Sequence, residues 1–259
     1  MTETISNEAA TADTIGVEIR GHVGIVEIRR GPHNFFDENS LKELSAALIG
    51  LDVDPAVRVV VLCAEGKSFC AGADLRGVDQ HMLRRVYRAA QQLFTTRKPI
   101  IAAIQGAAVG GGLGLAMAAD FRVAGPRARL TANFARLGFH HGFGLTVTLP
   151  AAVGQQNALD LLYSGRNVNA NEALALGLVD RVTEEDPRAA ALEWAAEIAV
   201  SAPLSLVAIR STLRRELSSR VVAALDEEAA AQTVLLGSSD FAEGVAASIG
   251  KRAPEFTGL

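Results

Sequence analysis

Cysteine is nearly absent from this 259-residue chain, which carries only Cys63 and Cys70. Two thiols cannot build a disulfide framework, and at this spacing they supply too few ligands for a zinc site. Both sit in or just after an apolar run, which predicts buried free thiols. A basic excess is also missing. Lys and Arg total 25 against 29 Asp and Glu, a net charge of −4. That argues against a dedicated nucleic-acid binder, though not against a local basic patch for phosphate. Aromatics are scarce, at 1 Trp, 2 Tyr and 10 Phe, so the core must be built mostly from Ala, Val and Leu. No apolar run reaches the roughly 18 residues that would signal a membrane span. Residues 1–14 are polar and slightly acidic, a loose tail without the basic and apolar regions of a signal peptide. The expectation is a soluble cytoplasmic protein with no nucleic-acid or membrane partner, and no metal.

What is present is apolar material in quantity, 49% of the chain. At roughly 150 residues per domain the length allows two small domains or one large α/β unit. Gly16 to Arg30 reads as a hairpin turning at Gly21-His22. Asp37 caps a helix that places Leu41, Leu44, Leu48 and Leu51 on one face. Val57 to Cys63 is a β-branched apolar run, which predicts a strand covered on both faces. A helix over 78–96 turns Leu83, Val86, Ala90 and Leu93 inward. Ile100 to Ile104 is a second buried strand. The glycines at 110–114 open a helix over 115–119, and Phe121 to Val123 is a third strand. Helices are expected over 143–153, 155–163, 170–177, 187–200, 203–217, 219–236 and 239–249. Strands alternating with helices, followed by helices alone, define an α/β core over 15–200. The helical region 201–259 would pack on the core or on a neighbouring subunit.

Two Gly-rich turns carry the chemistry: Cys70-Ala-Gly-Ala-Asp74 and Gly110-Gly-Gly-Leu-Gly114. Each follows a strand and precedes a helix. Glycines there let a ligand approach the backbone, and free N–H groups at a helix start attract negative charge. Two such turns on neighbouring strands could aim two N–H groups at one oxygen, forming an oxyanion hole for a thioester enolate or tetrahedral anion. The plainer alternative is that the glycines only permit close helix packing. Other Gly-loop motifs fail on spacing. A dinucleotide fingerprint needs Gly where Leu115 stands, and a phosphate-binding loop ending in Gly66-Lys67-Ser68 needs Gly where Val61 stands. Neither a Gly-x-Ser-x-Gly elbow nor a His-Glu-x-x-His zinc motif occurs.

Several segments together resemble the crotonase, or enoyl-CoA hydratase/isomerase, family. They are Ser68 to Leu75, Lys98 to Gly112 continuing to Ala118-Ala-Asp120, Ala173 to Asp180, Ser239 to Gly244 and Lys251 to Phe256. The likeness runs in order from about residue 15 to 256. It implies a spiral of ββα units, assembly as a homo-oligomer (trimer or hexamer) and an acyl-CoA thioester ligand. Coenzyme A would enter as part of the substrate, with no separate cofactor. By motif position the oxyanion donors are the backbone N–H groups of Ala73 and Gly111. Arg76, and Lys251 with Arg252, are candidates for contact with CoA phosphate, against a plain surface role.

The departures from the family pattern bear on the reaction. The resemblance places two hydratase glutamates where this chain has Gly114 and Phe134. The acidic residue of some isomerases and dehalogenases falls at Gly142. Neither Gly nor Phe moves a proton, and each lost acid–base group costs about 10²–10⁴-fold. An efficient hydratase is therefore not expected. His140 and His141 are the candidate catalytic groups, since a neutral imidazole beside the acyl pocket could act as a base or hold a water. Their alternative role is to cap the following helix. His81 is a further candidate to face the pocket. His22 and His33 are expected at the surface, and Asp74 as a turn-ordering residue. Two functions stay open: an acyl-CoA-processing enzyme (isomerase, lyase or thioester-cleaving) that works through backbone oxyanion stabilisation, or a non-catalytic acyl-CoA-binding protein on the same fold.

Overall fold

The computed structural model describes residues 14–74 and 78–259. Arg76 and all but the last residue of the expected 1–14 tail lie outside them. The chain opens with an antiparallel hairpin, β1 (Ile15–Arg20) and β2 (Val23–Ile28), and then α1 (Glu38–Val53). Asp37 caps α1 in a box with Ser40: its carboxylate accepts the Ser40 N–H, and the Ser40 hydroxyl accepts the Asp37 N–H. The four leucines read as one face, Leu41, Leu44, Leu48 and Leu51, are all buried. Burying each contributes on the order of 1.5–3 kcal/mol.

Three repeats of one pattern follow. A long strand enters a large sheet, a short strand enters a second sheet, and a helix comes next. The first repeat is β3 (Val59–Ala64), β4 (Ser68–Cys70) and α2 (Gln80–Leu93). The second is β5 (Ile100–Ile104), β6 (Ala107–Val109) and α3 (Gly111–Ala118). The third is β7 (Phe121–Ala124), β8 (Arg129–Thr131) and a 3-10 turn at Asn133–Leu137. The remaining elements are α4 (Leu145–Val153), α5 (Gln155–Ser164), β9 (Val168–Asn169), α6 (Ala170–Leu176), β10 (Arg181–Val182), α7 (Pro187–Ala199), α8 (Pro203–Leu235) and α9 (Ser239–Gly250). The large sheet runs β1-β2-β3-β5-β7-β10 and the small one β4-β6-β8-β9. From β2 to β10 the large sheet is parallel. This is the α/β spiral of ββα units expected from the resemblance.

The two faces of β3 alternate as a doubly covered strand requires. Val59, Val61 and Cys63 turn to α7, whose Ala191, Ala195 and Ala199 form an all-alanine seam. Val60 and Leu62 join the main core with the leucines of α1 and the inward face of α2. Both cysteines are buried and unpaired, and burial pushes Cys63 up to about 11 and Cys70 up to about 12.

The structure departs from the sequence reading in several elements. The short strands β4, β6, β8 and β9 form a sheet that the reading did not contain. Helix α3 starts at Gly111 rather than at Leu115. The two helices expected over 203–217 and 219–236 are the single α8, which packs on α2 and α4. Among the described residues no single helix is long and apolar enough to cross a membrane.

Candidate active site

The two Gly-rich turns leave neighbouring parallel strands, because β4 pairs with β6. They meet backbone against backbone. A Cβ built on Gly72 would lie 2.9 Å from the Val109 carbonyl oxygen and 3.6 Å from the Gly111 nitrogen. Gly72 also holds φ +94, a conformation that L side chains rarely adopt. A Cβ on Gly112 would lie 2.0 Å from the Cys70 carbonyl oxygen. The glycines thus bring the start of α3 down onto the end of β4.

The bridge between Phe36 and Ala73 fixes the direction of one N–H. Phe36 N–H donates to Gly72 O at 3.0 Å, and Asp74 N–H donates to Phe36 O at 3.4 Å. Successive peptide groups along an extended segment point to opposite sides, so the Ala73 N–H points away from Phe36. The second N–H belongs to the first residue of α3. Gly110 N–H donates to Thr131 O, while Leu113 and Gly114 turn back to Gly110 O. Gly111 N–H is left as one of the orphan donors of a helix start. Among the described residues none accepts from Ala73 or Gly111.

Both residues line one cavity of about 90 Å³. Its walls come from Phe36, Leu83, Val86, Val109, Phe134, Leu137, Phe139 and Phe143, with Gly142 at one side. The only polar side chains among its described lining residues are Tyr87, Asn133 and Gln232. No carboxylate, imidazole, thiol or cation is among them. Phe134 and Gly142, two of the three vacated acidic positions, line the cavity. Gly114 does not: a Cβ there would meet the Cβ of Phe143 at 2.5 Å, so Phe143 fills the space a larger residue would need. Phe143 holds φ +61, the left-handed region that costs a non-glycine residue. Its ring stacks at a tilt against Phe36, with centroids 5.1 Å apart.

The paired histidines stand behind this wall, outside the cavity lining. Their rings stack with centroids 4.1 Å apart, and His140 Nδ1 lies 2.7 Å from the His141 carbonyl. His141 Nε2 lies 2.9 Å from Thr146 Oγ1, whose hydroxyl donates to Glu228 at 2.6 Å. Since Thr146 donates onward, His141 Nε2 carries the proton and donates to Thr146. Glu228 is buried, and its carboxylate also accepts the N–H groups of Gly144 at 2.8 Å and Thr146 at 2.9 Å. Burial raises the Glu228 pKa, and those three donors hold it back. Burial, with the His140 charge added, pulls His141 from 6.5 to about 4, so it is neutral at pH 7.

The His141 shift sets a pH dependence of stability. The unfolded chain takes up a proton near pH 6.5, and the folded chain does so only near 4. Stability is therefore lost as pH falls from 6.5 to 4, by roughly 2 kcal/mol once solvent screening is discounted. Glu228 works with the opposite sign, because its raised pKa favours the folded state on acidification. The clean measurement is the difference between wild type and His141→Gln in chemical denaturation at pH 7 and pH 4.5. The variant should lose less stability over that interval, and an equal loss would contradict the shift.

The remaining candidates scatter. His22 is exposed and hydrogen-bonded to Ala56 O, His33 lies exposed beside Phe35, and His81 is exposed near the start of α2. Lys251 closes α9 in the left-handed conformation and is exposed, and Arg252 is held by both carboxylate oxygens of Glu243. Among the described residues no cluster of His, Cys, Asp or Glu could hold a metal. Sequence reasoning missed Tyr87, Gln232 and Phe143, which come to the cavity from α2, α8 and a strained loop.

The sequence model of the enoyl-CoA hydratase/isomerase family matches residues 18–258. A Bacillus subtilis protein named as a probable enoyl-CoA hydratase is 34% identical, covering 95% of this chain and 99% of its own. The enoyl-CoA isomerase/hydratase fer4 of Mycosarcoma maydis is 36% identical over 79% of this chain and 78% of its own. The crystal structure of an enoyl-CoA hydratase/isomerase from Pseudoalteromonas atlantica superposes with a TM-score of 0.86. It is 32% identical, with 94% of this chain and all of that one covered. This chain is a member of the enoyl-CoA hydratase/isomerase family.

Proposed function

We propose that the chain binds an acyl-CoA thioester with its carbonyl oxygen between the N–H groups of Ala73 and Gly111, and that efficient enoyl-CoA hydration is not its activity. The observation that carries this is the composition of one cavity: two free backbone donors at glycine turns, and no carboxylate or imidazole among its described lining residues. The donors would stabilise an enolate or a tetrahedral oxyanion, each lowering the barrier by about 2.7–4 kcal/mol. Hydration also needs groups that place and activate water. Gly114, Phe134 and Gly142 supply none, and Phe143 closes off the first of these positions. Reactions that lean on the oxyanion hole alone fit better: isomerisation, decarboxylation, or thioester or C–C cleavage. Lys251, and Arg76 in the motif after Ala73, offer positive charge to the CoA phosphates. His140 and His141 could reach the reaction only through the Gly142 segment next to them. Replacing both with Ala tests them: lost turnover with retained binding assigns a role, and unchanged turnover removes one. Assembly as a trimer or hexamer belongs to the same reading, supported by exposed apolar side chains on α8 such as Leu204 and Leu213.

The test is mass-spectrometric turnover with purified protein on saturated, 2-enoyl, 3-enoyl, malonyl-type and cyclic β-keto acyl-CoA thioesters, with bound ligand recovered by filtration. Loss of carbon dioxide, isomerisation or bond cleavage names the reaction. Efficient gain of one water on an enoyl thioester overturns the proposal. A retained but unchanged thioester across the panel establishes the second reading, a binding protein, which the same lack of carboxylates favours. Gly111→Val serves as the control, since a Cβ there meets the Phe36 ring at 2.6 Å. It should reduce acyl-CoA binding by more than tenfold.

A further inference from the structure

The space beside Gly142 is occupied. A Cβ built on Gly142 would lie 1.8 Å from the Tyr87 hydroxyl and 2.8 Å from Gln232 Nε2. Tyr87 reaches this point from α2 and Gln232 from α8, two helices that pack on each other. The absence of a side chain at 142 is thus the condition for a phenol to stand in the cavity wall.

Both partners are buried and oriented. Gln232 Nε2 donates to the His140 carbonyl at 2.8 Å, which fixes the amide with its nitrogen toward the phenol. The Gln232 amide and the Phe143 N–H both face the phenol oxygen and lower its pKa. Burial and the Glu228 charge outweigh them and keep it well above the ordinary value, so the hydroxyl holds its proton at neutral pH. With two donors facing its oxygen, the phenol has its own O–H to give. Among the described residues none accepts it, while Tyr87 lines the cavity shared with Ala73 and Gly111.

Resting on the acyl-CoA reading above, we propose that the Tyr87 hydroxyl is a specificity-determining donor for an oxygen on the acyl chain, with Gln232 as its positioning residue. The substrate class is then an acyl-CoA whose chain carries a hydroxyl or keto oxygen beyond the thioester carbonyl. Besides Tyr87, only Asn133 and Gln232 bring polar side chains to the described lining, so an oxygen placed beside the phenol loses its donor when the hydroxyl is removed. A plain alkyl chain would in turn leave the phenol O–H without an acceptor. Both mismatches are costly in a dry site.

The experiment is calorimetric titration of the full chain with hexanoyl-CoA and with its 3-hydroxy, 4-hydroxy, 5-hydroxy and 3-oxo analogues. At least one oxygenated analogue should bind tenfold or more tighter than hexanoyl-CoA. Tyr87→Phe should erase that preference and bind hexanoyl-CoA at least as tightly as wild type, because the hydroxyl that a plain alkyl chain leaves without an acceptor is gone. Gln232→Leu should reduce the preference without abolishing hexanoyl-CoA binding, and thermal unfolding confirms that each variant is folded. Equal wild-type affinity for all five thioesters overturns the assignment to Tyr87 and leaves the acyl-CoA reading standing. A preference that survives in Tyr87→Phe does the same. No binding of any thioester overturns both.

Discussion

Gly112→Ala is expected to lower the unfolding midpoint by about 10 °C, corresponding to a loss of about 3 kcal/mol in a chain of this size. The added methyl would sit 2.0 Å from the Cys70 carbonyl oxygen and 2.7 Å from its carbon. Those atoms are backbone of a strand held on β6, so no rotamer change relieves the contact. Either α3 lifts from β4 or the end of β4 bends, and each movement separates the two turns that carry Ala73 and Gly111. Function should therefore fall with stability: acyl-CoA binding should drop even below the melting transition. Gly50→Ala is the matched control, since nothing lies within 4 Å of the added methyl on the exposed side of α1. It should be neutral or slightly stabilising. Differential scanning calorimetry of the two variants decides the matter, and a midpoint for Gly112→Ala within 2 °C of wild type would contradict the close approach.

The contrast between those two glycines shows where the sequence was legible. The large parallel sheet was readable because Val59 to Cys63 and Ile100 to Ile104 are buried on both faces, which leaves continuous apolar runs. The small sheet was not, because β4, β6 and β8 have three residues each and β9 two, too short for any period to register. The sequence reading places two helices, over 203–217 and 219–236, where the structure has the single α8. In the fold the Ser218 hydroxyl donates to Phe94 O across to the end of α2, at 2.9 Å, and the helix runs on. That split concealed a face. Val221, Ala224, Leu225, Glu228, Ala229 and Gln232 are all buried at helical spacing, so an unbroken helix would have placed Glu228 and Gln232 inward. Tyr87 lay on the readable face of α2, one position beyond Val86. Its neighbours there are apolar, and only tertiary contact with Gln232 and the empty side of Gly142 marks it. The glycine turns pointed to the cavity because their chemistry is local. The polar group opposite is contributed by two helices far apart in the chain, which no local pattern joins.

Asp120→Ala is expected to destabilise the chain by about 3–5 kcal/mol, the usual cost of stranding a buried partner charge. Asp120 follows α3 and leads into β7, and it gathers three donors. The Ile100 N–H reaches Oδ2 at 2.8 Å and Arg210 Nε reaches the same oxygen at 2.7 Å, while Arg214 Nη1 reaches Oδ1 at 2.7 Å. Arg210 is itself buried, and its Nη1 donates to the Thr96 carbonyl, while Arg214 Nη2 donates to Ala118 O at 3.1 Å. This cluster is where α8 is fastened to the spiral. Its hydrogen-bonding capacity is already incomplete, for Arg210 Nη2 and Arg214 Nε are buried without partners among the described groups. Removing the carboxylate takes from both guanidinium groups the counter-charge that they share. The first turns of α8 should then detach, exposing Arg210 and loosening the helix that carries Gln232 to the cavity. Asp120→Asn separates charge from geometry. It keeps an acceptor for one arginine and for Ile100 but removes the negative charge, and it should cost less than Ala. Arg210→Met with Asp120→Ala should recover part of the loss, because no buried cation at 210 is left unpaired. Denaturant unfolding with amide hydrogen exchange across residues 203–220 measures all three. A double variant no more stable than Asp120→Ala would show that the cost is not the stranded charge.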